Sequence, residues 1–174
     1  MRSTSEHRPA HAADVSPPAG SAIRLPRDVA DRLVEHAHRA YPAECCGSLI
    51  GRPDGAATIV QRCFPAENIA QADRRRSYQI DWRSLFNAFR EARAAGLRVV
   101  GFYHSHPDGS AEPSVRDQAE AWIDHPYLIV SLHPPQRPRI TCWRRRGDQT
   151  RMLPQRVEIE DHPGREDSAE QSVE

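Results

Sequence analysis

No lysine occurs among the 174 residues, and all 24 basic residues are arginine. We read that bias as genome composition rather than as a functional device. The four cysteines, Cys45, Cys46, Cys63 and Cys142, form no C-x-x-C pair and no zinc-finger spacing. That pattern excludes a cysteine-built zinc module and a disulfide framework. Reduced thiols packed in strands are expected, which suits a cytoplasmic location. No apolar stretch is long enough to span a bilayer, and the first residues carry no signal-type apolar core. Neither a membrane partner nor export is expected, and no internal repeat is visible.

The formal charge is zero, but it is unevenly placed. From Glu158 onward there are seven acidic residues against one arginine. The first 21 residues balance, so the span from Ala22 to Val157 carries about six positive charges. A basic domain suits an acidic protein partner, and such an association is sensitive to salt.

Residues 1–21, rich in Pro, Ala, Ser and His and lacking apolar periodicity, read as a disordered tail. Residues 22–160 read as one domain, and 161–174 as a mobile acidic tail. Pro26 suits a first helical turn, Val29, Leu33, Ala37 and Ala40 mark one helical face, and Pro42 ends it. Residues 45–52 and 57–64 predict a hairpin around Pro53, Asp54 and Gly55, followed by a short strand at Tyr78–Ile80. Asp81 caps a second helix with Trp82, Leu85, Phe86 and Phe89 at i, i+3, i+4 and i+7, and Gly96 closes it. A buried strand follows over 97–103, then a polar loop and a third helix from Ser114 through Ile123. Strands are expected at 127–132, 139–145 and 151–159, with Gly147 and Asp148 turning between the last two. The order predicts an α/β fold with a mixed β-sheet sandwiched by helices, not regular βαβ repeats.

The chemistry concentrates at Tyr103-His104-Ser105-His106-Pro107, followed by Ser114 and Asp117. Side chains alternate along a strand, so His104 and His106 face one point in space. Two neutral imidazoles and one carboxylate leave a tetrahedral zinc an open position, as a catalytic site requires. A lone His-x-His is weak evidence for metal. For Ser114 and Asp117 a capping box at the start of an amphipathic helix is a rival explanation. For Asp117 the two explanations compete directly, and the joint spacing favours metal.

The order His-Ser-His-Pro, six residues, Ser, two residues, Asp resembles the JAMM (MPN+, JAB-domain) metallopeptidase signature. The upstream segment Pro42-Ala43-Glu44-Cys45-Cys46-Gly47-Ser48-Leu49-Ile50-Gly51 is similar to its glutamate-bearing motif. The resemblance spans about 24–160 and implies a cytidine-deaminase-like JAB/MPN fold. It implies zinc held by His104, His106 and Asp117, with Glu44 as the proton-transferring base and Ser114 stabilising the oxyanion. The implied partner is a ubiquitin-like or sulfur-carrier protein, cut after its C-terminal Gly-Gly, with cysteine as a candidate product. Chain-cleaving relatives carry insertions, whereas the connections at 68–77 and 107–113 here are short. That favours a carrier–amino-acid adduct over linked diubiquitin.

Two alternatives share the fold: a non-catalytic scaffold, which characteristically lacks ligands, and a RadC-like DNA-repair relative. The latter usually has Asn between the histidines and lacks the run Cys46–Gly51, so no nucleic-acid partner is expected. His125 and His133 lack the spacing of further ligands, and His36 and His38 are expected in water. Cys46 is a remote candidate for an inhibitory ligand, and Arg74-Arg75-Arg76 reads as a solvated loop.

Overall fold

A computed structural model describes residues 22–147 and 149–161. The expected tails at 1–21 and 162–174, and Asp148 of the expected turn, lie outside the described residues. Seven strands and three helices follow in the order β1 (Ala22–Pro26), α1 (Arg27–Ala40), β2 (Cys46–Asp54), β3 (Ala57–Ala66), α2 (Trp82–Ala94), β4 (Arg98–His106), α3 (Val115–Glu120), β5 (Pro126–Ser131), β6 (Arg139–Arg144) and β7 (Leu153–Glu160). The strands lie in the order β1-β3-β2-β4-β5-β6-β7, and β7 pairs with β1 to close the sheet. The sheet is mixed, with parallel pairs at β1/β3, β1/β7 and β4/β5 and antiparallel pairs elsewhere.

Strand alternation divides the core into two. Leu49, Tyr103, Leu128 and Val130 pack with Val29, Ala30, Leu33 and Ala37 of α1. Their neighbours Ile50, Phe102 and Tyr127 pack with Ala88 and Ala92 of α2. The sheet is therefore covered by a helix on each face, as the element order predicts.

Five local features differ from expectation, the first being that residues 78–80 form no strand and Ile80 makes only an isolated bridge with Asn68. The strand β1 was not anticipated; it is five residues long, and its partners β3 and β7 lie far along the chain. Gly55, at φ 57°, makes the β2–β3 turn, while Pro53 and Asp54 still belong to the strand. Helix α3 stops at Glu120, leaving Trp122 and Ile123 exposed beyond it. The apolar stripe of α2 is not its buried face: Trp82, Phe86 and Phe89 are exposed, and the small residues Ala88 and Ala92 meet the sheet. The start of α2 matches expectation, because Asp81 Oδ1 accepts from the backbone N–H groups of Arg83 and Ser84 at 2.9 Å each.

Two glycines of β2 are there because backbones approach closely. A Cβ at Gly47 would stand 2.4 Å from the Phe64 carbonyl oxygen and 2.5 Å from the Tyr103 ring. At Gly51, where the β2/β3 register shifts, it would stand 1.9 Å from the Ile59 carbonyl oxygen. The Tyr103 hydroxyl is also hydrogen-bonded to His36 Nδ1 at 2.9 Å. His36 is thus half-buried and partnered, not in water as expected from sequence, whereas His38 is exposed.

Candidate metal centre and catalytic cleft

Strand β4 runs through His106, so Phe102, His104 and His106 share one face of the sheet, the face covered by α2. Between them Ser105 points to the opposite side, where its hydroxyl accepts from Cys45 N–H at 2.8 Å. The Ser105 N–H donates to the Cys45 carbonyl at 3.0 Å. That two-way contact locks the β4 end beside the residue that follows Glu44.

His104 Nε2 and His106 Nε2 lie 3.1 Å apart. Asp117 completes a triangle, with Oδ1 3.3 Å from His104 Nε2 and Oδ2 3.5 Å from His106 Nε2. A tetrahedral centre with bonds of about 2.0–2.1 Å separates its ligand atoms by about 3.3 Å. The two imidazole nitrogens and the nearer carboxylate oxygen of each contact stand at about that spacing, so the donor set suits a tetrahedral ion. His106 Nδ1 contacts the Ser110 carbonyl at 2.6 Å, which assigns its proton to that side and leaves Nε2 free. His104 is fully buried, and Tyr78 stacks on its ring at 4.5 Å. Its Nδ1 has no hydrogen-bond partner among the described residues, so the ring is held by the Tyr78 stacking and by its Nε2 contact with Asp117.

Asp117 does not have to choose between helix cap and site. Its Oδ2 accepts from Ser114 N–H at 2.7 Å, and Ser114 Oγ accepts from Asp117 N–H at 3.1 Å. The capping box presents the carboxylate to the histidines, so the two roles expected to compete are combined. Burial pushes the Asp117 carboxyl up, but hydrogen bonds to His104 and His106 outweigh it and hold the group well below the usual carboxylate range. Burial pulls His104 down, against the opposing contact with Asp117. His106 is also pulled down by burial, yet its contacts with Asp117 and Ser110 leave it raised.

Glu44 stands just beyond α1, with its N–H donating to the Arg74 carbonyl at 2.7 Å and its carbonyl accepting from Asn68 Nδ2 at 3.0 Å. Burial raises its carboxyl from 4.5 to about 7, with smaller influences from His106, which lowers it, and Asp117, which raises it further. A carboxylate with that value exchanges protons at neutral pH. Glu44, His106 and Ser114 line one cleft of about 380 Å³, and Arg75, Arg76 and Asp108 line it too. A second groove, of about 410 Å³, is lined by Tyr78, Ile80, Leu85, Phe102, Trp122 and Tyr127. The histidine pair adjoins both, because His106 lines the cleft and Tyr78, stacked on His104, lines the groove.

The described residues contain one group able to hold a metal, His104, His106 and Asp117. Cys46 is not part of it; its thiol faces the carbonyls of Ala66 and Glu67 at 3.9 and 3.8 Å. All four cysteines are free. His125 and His133 stand outside the group, His125 against Phe102 and Trp122. Sequence reasoning missed Tyr78, which had only a strand signature, and Asn68. The Asn68 side chain donates to the carbonyls of Glu44 and Ser77 and accepts from the N–H groups of Ala70 and Gln79. Arg75 and Arg76 are exposed, as a solvated loop predicts, but their run of like charges gives no hint that the loop also lines the cleft beside Glu44.

Comparison with known proteins gives consistent findings. Residues 26–146 match the family described as prokaryotic homologs of the JAB domain. Desampylase of Haloferax volcanii is 35% identical over 143 residues, covering 79% of this chain and 98% of that protein. A probable TtuB-protein conjugate cleaving protease of Thermus thermophilus is 33% identical over 63% of this chain and 70% of its own length. The CysO-cysteine peptidase of Mycobacterium tuberculosis is 31% identical over 67% of this chain and 78% of its own length. A JAB1/MPN domain protein from Archaeoglobus fulgidus superposes with a TM-score of 0.50 at 19% identity, over 79% of this chain and 99% of that one, a likeness of fold alone.

Proposed function

The chain belongs to the family of prokaryotic JAB-domain homologs, and from that premise we propose that it is a zinc-dependent peptidase acting after the C-terminal Gly-Gly of a ubiquitin-like or sulfur-carrier protein. The observation that carries this reading is the donor triangle of His104, His106 and Asp117 with Glu44 and Ser114 beside it. A scaffold would need none of these five side chains in register. Zinc bound there would supply Lewis acidity and lower the pKa of a coordinated water toward about 7.

The chain's own residues do the rest. Glu44 takes a proton from the attacking water as its oxygen bonds to the glycine carbonyl carbon. It delivers that proton to the amine nitrogen as the C–N bond breaks. Ser114 Oγ already accepts from Asp117 N–H, so its own O–H is left to donate to the developing oxyanion.

The groove along Tyr78–Ile80 would take the extended carrier tail. Gln79 there already accepts from Ile69 N–H and donates to Asn68 Oδ1, so the tail would be held by the side chains of the groove, and glycines permit a close approach. The groove continues through Leu85 and Trp122 toward the exposed Trp82, Phe86 and Phe89 of α2, where the folded body of the carrier would rest. The three relatives bear names that specify cleavage of such conjugates or adducts.

The test is to offer the purified, zinc-loaded protein a carrier ending in Gly-Gly-Cys and, separately, linked diubiquitin. Cysteine release with a metal content near one equivalent is expected. Cleavage of diubiquitin alone would move the substrate class, and failure to cleave either with zinc bound would refute the peptidase reading.

A further inference from the structure

We propose that Arg76, supported by Arg75, recognises the free α-carboxylate of the leaving group, so that this site is built to release a single amino acid and not a lysine side chain of a folded protein. The inference rests on the peptidase reading and adds the identity of the departing half of the substrate.

The two sides of the metal triangle are chemically unlike. The groove along Tyr78 and Phe102 is lined by aromatic side chains with Arg116 and Glu120, whereas the cleft beyond His106 has no Phe, Tyr or Trp in its lining and carries Arg75 and Arg76 beside Glu44. Glu44 lies in that cleft and is the group that protonates the departing amine, so the cleft is the leaving-group side. In an amino-acid leaving group the carboxylate sits one carbon from the nitrogen that Glu44 serves. Whatever binds it must therefore lie in the same cleft, and Arg75 and Arg76 do. A guanidinium is suited to a carboxylate because its N–H donors match both oxygens.

The arginine loop is a built feature. Asp73 organises it: the Asp73 carboxylate accepts from Arg75 N–H at 3.0 Å, and its carbonyl accepts from Arg76 N–H at 3.0 Å and from the Ser77 hydroxyl at 2.9 Å. Arg74 turns its own guanidinium back to the Ala70 carbonyl at 3.1 Å, while its carbonyl accepts from Glu44 N–H. The loop that carries Arg75 and Arg76 is thus tied to the base itself. Arg75 is partly engaged by Asp73, whose carboxylate is 3.7 Å away, and Arg76 makes no ion pair among the described residues. Asp108 also lines the cleft and accepts from the Tyr41 hydroxyl at 3.4 Å, so with Glu44 two carboxylates share the cleft with two arginines, and of the two arginines Arg76 is the one without an ion pair among the described residues. A lysine side chain arriving from a protein would bring no carboxylate for this cation.

The experiment uses the full-length zinc-loaded protein and two peptides ending in Gly-Gly-Ser, one with a free terminal carboxylate and one amidated. Serine stands in for cysteine so that no thiol reaches the metal. Wild type is expected to cleave the free acid about 10–100-fold more efficiently, the scale of one charge-assisted hydrogen bond, with the difference residing mainly in KM. In Arg76→Ala the ratio of the two efficiencies falls toward one, and Arg76→Lys, which keeps the charge, retains most of it. An independent readout is the affinity of both peptides for the Glu44→Gln protein, with and without Arg76→Ala, where the same preference and the same loss are expected. Equal cleavage of acid and amide by wild type, or an unchanged ratio in Arg76→Ala, would overturn the inference while the peptidase reading stands. Cleavage of neither peptide would overturn both.

Discussion

At the scale of single residues, Asp117 and Glu44 bear the most chemistry, and each can be separated from its structural duty. Asp117 and Ser114 share the cap of α3, but only Asp117 faces the two histidines. Ser114→Ala should cost about 1 kcal/mol of stability and leave zinc bound. Asp117→Ala should lose the same cap and the metal together. Metal analysis after dialysis decides this, and a fully zinc-loaded Asp117→Ala protein would show that the carboxylate only caps the helix. For Glu44, replacement by Gln should keep zinc and lower turnover by roughly 10²–10⁴. Its raised proton affinity has a second consequence, visible in the metal-free protein. The folded chain binds this proton more tightly than the unfolded chain, so the group's stabilising contribution is full below pH 4.5 and is lost as pH rises through about 7. Glu44→Gln stays neutral and avoids that loss. Relative to wild type it should gain up to about 3 kcal/mol between pH 4 and pH 8 in urea titrations. An equal difference at both pH values would mean that Glu44 titrates as an ordinary surface carboxylate.

At the scale of elements, the periodic signals announced which segments are helix and strand, but not which way they face. The stripe Trp82, Phe86, Phe89 has helical spacing and would ordinarily be core. The sheet beneath α2 carries Phe102 and Tyr127, and of the helix it is Ala88 and Ala92, with Leu85 partly buried beside them, that take the contact. Strand β1 was hidden for a different reason: five residues give too little alternation, and its partners come from distant chain segments. The histidine pair was legible because β-alternation is local. The placement of Arg75 and Arg76 was not, since it depends on Asn68 and Asp73 folding a loop back to Glu44. The exposed face of α2 yields a test. Phe86→Asp should change stability by no more than about 0.5 kcal/mol, as for a surface site, yet raise KM for a folded carrier about 10-fold or more. A large fall in melting temperature would mean that this face is core after all. Gly47→Ala is the converse case, because the new methyl would meet the Phe64 carbonyl and the Tyr103 ring at once. It should cost about 1–3 kcal/mol, read from the denaturant midpoint, with the site residues untouched.

At the scale of the whole molecule, the uneven charge acquires a structural meaning. The seam that closes the sheet joins β1 to β7, and there Arg24 pairs with Glu158 at 2.6 Å and Arg27 with Asp161 at 2.9 Å. The acidic residues at this seam are thus engaged with arginines of β1 and α1, at the edge of the domain. The arginine excess between Ala22 and Val157 is carried by the body of the domain, and it includes Arg116 in the tail groove and Arg75 and Arg76 in the cleft. A positive body would attract an acidic carrier from a distance and have no such hold on a neutral peptide. Salt separates the two. Raising sodium chloride from about 0.1 to 1 M shortens the screening length from about 10 to 3 Å. The efficiency of cleaving an acidic folded carrier should then fall about 10-fold or more, through slower association, with kcat preserved. An amidated peptide ending in Gly-Gly-Ser, which offers no carboxylate to Arg76 and no folded body to the arginine surface, should change by less than about 2-fold. Equal salt sensitivity for carrier and amidated peptide would place the effect in the catalytic cleft and remove the case for steering by the domain's charge.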